Sequence, residues 1–198
     1  KLYEQINSIK GNPKNELVII SGRDKNTLSE WFENCDVNLI GEHGGWTKLK
    51  GENWQAKEFQ NGEWKEAIFP ILELFTDRTP GSMVEEKDFS LVWHYRKCEP
   101  ALAQVRIHEL KDAILGLTAN YNIGVFEGNK ILEIKIPGIN KGAAVESWLN
   151  KKNWDFIFAA GDDYTDEYMF SVLPGDAHSV KVGLGASKAK NSVSSSAE

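Results

Sequence analysis

At 198 residues, with 41% hydrophobic and 26% charged side chains, the chain can bury one good core, or a core plus a small inserted lobe, but not two large independent domains. No apolar run approaches the roughly 20 residues a membrane span needs, and a formal charge of -6 without any Lys/Arg block excludes nucleic acid and anionic membranes as the expected partners. The expected ligand is small. Cys35 and Cys98 lie far apart and make neither a disulfide framework nor a zinc-ligand spacing, which fits a reducing, cytoplasmic location.

In chain order, a helix is predicted from Leu2 to Lys10. Because the first residue is Lys1 and this helix follows at once, the native start is expected upstream. Gly11-Asn12-Pro13 breaks the chain, and Glu16 to Ile20, continuously apolar after Glu16, is read as a strand buried on both faces. Ser21-Gly22-Arg23-Asp24 turns into a helix ending near Trp31-Phe32, and a second buried strand, Val37 to Ile40, leads into Gly41-Glu42-His43-Gly44-Gly45. Trp46, Trp54 and Trp64 surround a hairpin and a helix and are assigned to packing rather than carbohydrate stacking. Strand-helix alternation predicts a parallel sheet.

The middle has a different rhythm. Met83 to Lys87 and Ser90 to Tyr95 read as strands, Ala101 to Leu117 as a helix, and Asn122 to Glu127 and Ile131 to Ile136 as two more strands about Gly128-Asn129. This ββαββ block is read as an inserted lobe. Past Pro137-Gly138 come a helix from Lys141 to Asn150, a buried strand Phe156 to Ala160, a helix from Thr165 to Val172 and a strand Ser179 to Val182, expected to share one sheet with the first part. The Ser/Ala-rich tail Ser192 to Glu198 shows no periodicity, and the carboxyl end is read as cut. The predicted division is 1–80 and 138–198 for a core and 81–137 for a cap.

Three motifs sit where ligands of open α/β sheets bind, at strand-to-helix junctions or helix starts. Gly161-Asp162-Asp163-Tyr164-Thr165-Asp166-Glu167 crowds carboxylates at a strand's end. They would repel one another without a cation, and Mg2+ with its hard oxygen ligands answers that need. An acidic helix N-terminus fits the same letters. Ser21-Gly22-Arg23 offers a hydroxyl and backbone N–H groups to a phosphate oxygen, or an ordinary turn and cap. Asn140-Lys141-Gly142 puts a cation at a helix start, unfavourable against the dipole unless an anion is near.

In this order the three resemble the second, third and fourth motifs of haloacid dehalogenase-type phosphatases. Ile19 to Asp24, Gly41 to Gly45, Thr79-Pro80-Gly81-Ser82, Val84 to Lys87, His94-Tyr95-Arg96 and Leu132 to Lys135 narrow the resemblance to trehalose-6-phosphate phosphatases over nearly the whole chain. The resemblance implies an α/β fold, a Rossmannoid parallel-sheet core with an inserted α+β (ββαββ) cap, and magnesium-dependent hydrolysis of trehalose 6-phosphate. It implies catalytic roles for Ser21, Lys141 and Asp162, metal ligation by Asp162, Asp163 and Asp166, and sugar contacts from Glu85, Lys87, Arg96 and Glu133. Arg23 and His43 are added as substrate candidates. His94 is left aside, although alternation along the strand puts it on one face with Arg96.

The family's chemistry uses an Asp-x-Asp pair, one Asp as nucleophile and the other as general acid and base. No Asp-x-Asp occurs in these residues, and the resemblance implies that it lies upstream of the first helix. Two alternatives stay open at this point: a phosphatase for another sugar phosphate, such as sucrose phosphate, or a non-catalytic regulatory domain joined to a trehalose-phosphate synthase.

Overall fold

In a computed structural model, which describes residues 2–58 and 63–196, the chain divides into two compact units, Lys1–Ala56 with Gly138–Glu198, and Lys57–Pro137. The helix α3 (Glu63–Asp77) belongs with the second unit, so that unit begins well before the boundary at 81 predicted from the sequence. The reason is its apolar stripe: Trp64, Ile68 and Leu72 share one core with the strands and helix that follow.

The first unit opens with α1 (Leu2–Lys10), β1 (Val18–Ile20) and α2 (Lys25–Trp31). β1 pairs in parallel with β2 (Asn38–Gly41), and β2 continues antiparallel through β3 (Trp46–Lys48) to β4 (Trp54–Ala56). Leu28, Val37 and Leu39 fill the core between α2 and this sheet. Asn38 is buried among them because both ends of its amide are used: Nδ2 donates to the Leu17 carbonyl at 3.1 Å and Oδ1 accepts from Lys50 N at 3.0 Å.

The remainder of this unit contains α5 (Lys141–Leu149), β9 (Phe158–Gly161), α6 (Asp166–Val172), β10 (His178–Val182) and β11 (Asn191–Val193). β9, β10 and β11 form a separate parallel sheet in the order β11-β10-β9, not the one sheet expected for both parts. β1 and β9 are therefore edge strands. Both line a cavity of about 360 Å³ with Val18, Ile20, Ala159, Ala160, Trp148 and Met169. In the residues of this chain, β1 is half-buried throughout, and Phe156 and Phe158 are exposed. β11 takes in the start of the Ser/Ala-rich tail, because ladder pairing with β10 uses backbone groups and needs no apolar alternation. Residues 197 and 198 lie outside the described residues.

The second unit is a four-stranded antiparallel sheet with two helices on one face. Its strands are β5 (Met83–Glu86), β6 (Ser90–His94), β7 (Gly124–Gly128) and β8 (Ile131–Lys135), in the order β5-β6-β8-β7. α4 (Pro100–Tyr121) starts on Glu99, whose carboxylate accepts from Ala101 N and Leu102 N, and stops at left-handed Asn122. Strand alternation sends Leu91, Trp93, Leu132 and Ile134 toward Leu110 and Ile114 of α4, each side chain contributing about 1.5–3 kcal/mol on burial. Glu86 and Glu127 on the same face pair with Lys65 of α3 and Lys111 of α4. The opposite face carries the other set of charges.

Candidate active site

Ser21 leaves β1 through a turn that the 42–44 loop holds in place. Its backbone N donates to the Ile40 carbonyl at 2.9 Å, its carbonyl accepts from His43 N at 2.9 Å, and the Arg23 carbonyl accepts from Glu42 N at 2.9 Å. Ser21 Oγ accepts from Arg23 N at 3.1 Å. Such a hydroxyl and turn backbone at the end of a parallel strand can cradle an oxyanion. His43 lies on this turn: a Cβ at position 22 would stand 2.5 Å from His43 Nε2, so Gly22 is what admits the imidazole. The loop that carries it has three consecutive positive φ values, Glu42 at 46°, His43 at 58° and Gly44 at 121°. For two non-glycine residues that conformation is uncommon. Gly44 packs close to Ala144 of α5, which links the Ser21 turn to the helix that Lys141 begins. Arg23 points elsewhere, exposed, with its guanidinium 5.5 Å from the Trp31 ring.

Lys141 is buried at the first turn of α5, where Asn140 Oδ1 caps the helix by accepting from Ala143 N at 2.9 Å. Its Nζ donates to Asp166 Oδ1 at 2.7 Å. The anion that a lysine at a helix start calls for is thus Asp166, itself 4% exposed and seated in the first turn of α6, where the dipole favours a negative charge. Asp166 Oδ2 accepts from Asp163 N at 2.9 Å, so both of its oxygens are engaged. Asp163 is exposed and bonded within its own loop, accepting from Tyr164 N at 2.6 Å and Thr165 Oγ1 at 3.4 Å. Asp162 is exposed and its carboxylate makes no hydrogen bond among the described residues.

The three carboxylates do not converge. Among the described residues no group of three His, Cys, Asp or Glu side chains is placed to hold a metal ion. The donor chemistry still suits a hard cation, since the loop presents carboxylate oxygens alone, with Asp162 open. One residue passed over in the sequence shapes this loop: Lys181, buried in β10, donates from Nζ to the Asp162 carbonyl at 2.6 Å and the Asp163 carbonyl at 3.2 Å. A lysine inside an apolar parallel strand was the available signal. Glu167 accepts from Ser187 Oγ and Lys188 N, both at 2.7 Å. Burial raises its pKa, but these two bonds and the charges of Lys181 and Lys188 outweigh that and leave it below the ordinary carboxylate value.

In the second unit, strand register puts Glu85, Val92, Glu133 and Phe126 in one row across the sheet face away from the helices. Lys87 and Lys135 lie two residues along their strands from Glu85 and Glu133, on the same face. Arg96 does not join them. β6 ends at His94, because Cys98 N donates to the Tyr95 carbonyl and turns the chain. Arg96 sits in that turn, exposed, with Nη2 donating to the Asn129 carbonyl at 3.2 Å.

An α/β core with Ser, Lys and an acidic loop at its strand ends and helix starts, and an antiparallel sheet inserted between its halves, has the architecture of a haloacid dehalogenase-like hydrolase. The family described as trehalose-phosphatase matches residues 1–198, and the chain belongs to that family. It is 35% identical over 189 residues to a "Bifunctional trehalose-6-phosphate synthase/phosphatase" of Thermoproteus tenax, covering 96% of this chain and 26% of that protein. It is 35% identical over 181 residues to a "Trehalose-phosphatase" of Schizosaccharomyces pombe, covering 87% and 22%. The chain therefore spans about a quarter of the length of these relatives. Among solved structures, the C-terminal domain of C. albicans trehalose-6-phosphate phosphatase superposes with a TM-score of 0.86 at 28% identity, over 98% of this chain and 78% of that one. The C-terminal domain of a Candida albicans trehalose synthase regulatory protein, at 15% identity and a TM-score of 0.78, shares the fold.

Proposed function

We propose that this chain carries the greater part of a trehalose-6-phosphate phosphatase, with Lys1–Ala56 and Gly138–Glu198 as catalytic core and Lys57–Pro137 as the sugar-recognising cap. The observation that carries the reading is the buried Lys141–Asp166 pair at 2.7 Å. A buried ion pair is often no more stabilising than an apolar pair of the same volume, so its presence at a helix start beside the Ser21 turn supports a functional use for the ammonium. Asp166 holds the ammonium in place, and Lys141 and Ser21 fix the oxygens of a transferring phosphoryl group. Gly22 and His43 keep the Ser21 turn rigid.

The reaction is hydrolysis through an aspartyl-phosphate. An aspartate oxygen attacks phosphorus, the bond to the sugar oxygen breaks, and that oxygen takes a proton from a general acid. Water activated by the same group then cleaves the acyl phosphate and releases phosphate. Nucleophile and general acid belong to an Asp-x-Asp pair, which these 198 residues do not contain. Of the residues present, Asp162 would hold magnesium, with Asp163 beside it, and Asp166 acts through Lys141. When bound, that ion supplies charge neutralisation at the phosphoryl oxygens.

Glu85, Lys87, Arg96 and Glu133 are assigned to the sugar, whose hydroxyls suit carboxylate acceptors and ammonium donors. Arg23, whose guanidinium lies by Trp31 in this structure, is a further substrate candidate only if its exposed side chain swings to the Ser21 turn. The bifunctional name of the T. tenax relative supports association with a trehalose-phosphate synthase domain. The unpaired thiols of Cys35 and Cys98 support a cytoplasmic setting.

The deciding experiment follows phosphate release from trehalose 6-phosphate, sucrose 6-phosphate and glucose 6-phosphate by the full-length protein, with magnesium and with EDTA, beside Asp162→Asn. Magnesium-dependent release selective for the trehalose ester and lost in the variant is the expected result. Selectivity for another sugar phosphate would reassign the substrate, and binding without turnover would overturn the enzymatic reading in favour of a regulatory domain.

A further inference from the structure

The face of the second unit's sheet that points away from its helices carries the same glutamate-to-lysine spacing twice. Glu85-Glu86 at the end of β5 with Lys87 just past it, and Glu133-Ile134-Lys135 on β8, present their first and third side chains on that face, and the middle ones turn to the helices. β6 runs between them, with Val92 level with both glutamates and Ser90 level with Lys135. Two strand spacings, about 10 Å, therefore separate Glu85 from Glu133, a gap for two linked sugar rings rather than one.

Each of these carboxylates is held by a neighbouring nitrogen group, the His94 imidazole or the Lys135 ammonium, that the functional reading leaves idle. His94 Nε2 stands 2.7 Å from Glu85 Oε2, in a pair whose side chains keep 32% and 42% of their surface. Lys135 Nζ donates to Glu133 Oε2 at 2.6 Å, in a pair that keeps 7% and 8%, and the ammonium lies 5.2 Å from the Phe126 ring centroid. Lys87 Nζ adds a longer contact of 3.8 Å to Glu85 Oε1. A free glutamate in a sheet samples several rotamers, and a ligand that needs one of them must bear the cost of the ordering. Ion pairing before the ligand arrives removes that cost.

We infer that His94 and Lys135 are positioning residues that fix Glu85 and Glu133 for recognition of a two-ring sugar, an inference that rests on the phosphatase reading above. They touch the sugar's partners rather than the sugar. Their loss acts on binding of the sugar and leaves the phosphoryl chemistry intact.

The test uses the full-length protein with His94→Leu and Lys135→Met, and with the donor-keeping variants His94→Gln and Lys135→Arg. Each is assayed with trehalose 6-phosphate and with p-nitrophenyl phosphate, which has no sugar to hold. Loss of one orienting charge-assisted bond raises KM for trehalose 6-phosphate about tenfold, with kcat and p-nitrophenyl phosphate turnover retained and most of the KM loss recovered by the donor-keeping variants. Unchanged KM, or an equal fall with both substrates, overturns the inference. If Lys135→Met fails to fold, the partly exposed His94 pair decides. If the wild type releases no phosphate from trehalose 6-phosphate, the phosphatase reading fails, and trehalose affinity of the same proteins by calorimetry decides this one. A tenfold loss in the variants sustains it, whereas equal affinities, or no binding by the wild type, overturn it.

Discussion

Replacing Gly161 with alanine tests whether the acidic loop is built around one buried carboxylate. An added Cβ would lie 2.3 Å from Asp166 Cγ, 2.4 Å from Oδ2 and 2.6 Å from Cβ, all inside van der Waals contact. Asp166 cannot swing away freely. It is 4% exposed, and its two oxygens are tied to Lys141 Nζ and Asp163 N. Overpacking by a methyl group costs about 1–3 kcal/mol, and displacing one member of a buried ion pair costs about 3–5 kcal/mol. The substitution combines part of each, so about 3 kcal/mol is expected. For a chain of this size that lowers Tm by about 6–12 °C. Thermal melting of the full-length protein reads it directly, with Gly175→Ala as control, since nothing lies within 4 Å of a Cβ there. Melting of Gly161→Ala together with wild type and control would refute the argument that Asp166 is immobile.

Lys141→Met leaves Asp166 buried without its counter-charge, and a loss of about 3–5 kcal/mol in urea unfolding is expected, with phosphate release abolished. Gly22→Ala drives a methyl group to 2.5 Å from His43 Nε2; about 1–3 kcal/mol of destabilisation and weaker phosphate binding should appear together in melting and in phosphate inhibition. Asp24→Ala removes the cap of α2, which accepts from Asn26 N and Thr27 N at 2.9 Å, for about 1 kcal/mol at neutral pH. The hydroxyl bond from Thr27, then the backbone bond from the same residue, hold the Asp24 pKa below its ordinary value against a smaller effect of burial. A depressed pKa gives stability that is complete above the ordinary carboxylate range and fades as pH falls through the folded value. Wild-type and variant stabilities measured against pH should therefore converge in acid, and a constant gap would contradict the charge assignment.

Much of the fold was legible because it follows from period and punctuation. Apolar runs bounded by Gly, Pro and Asn marked β1, β2, β8 and β10 to within two residues, and Asn140 marks a helix start by chemistry that one letter reveals. What stayed hidden depends on partners distant in sequence. The continuous apolar letters of Val18 to Ile20 and Phe158 to Ala160 do not distinguish a central strand from an edge strand lining a cavity. α3 reads as a helix in either unit, and only its packing assigns it to the second. Arg96 seemed to continue β6 by alternation, yet the turn closed by Cys98 N and the Tyr95 carbonyl ends the strand before it.

The candidate site shows the same division more sharply. Asp162, Asp163 and Asp166 were equivalent on the page, three acids in five residues, and sequence spacing gave each the same claim on a cation. Hydrogen bonding separates them: Asp166 is spent on Lys141 and a backbone amide, Asp163, though exposed, on the start of its own loop, and the exposed Asp162 carboxylate on nothing among the described residues. A lysine at a helix N-terminus was a clue that an anion had to be near, but dipole arguments state only the sign of the missing charge. The structure supplies its identity, and with it a reason for the burial. Held by Asp166, the ammonium keeps a fixed place, and a preorganised charge stabilises developing charge far better than one that must reorient. Asp166, read from the sequence as a metal ligand, has both oxygens engaged, by Lys141 Nζ and Asp163 N, and under the proposed reaction it orients the ammonium that meets the phosphoryl group.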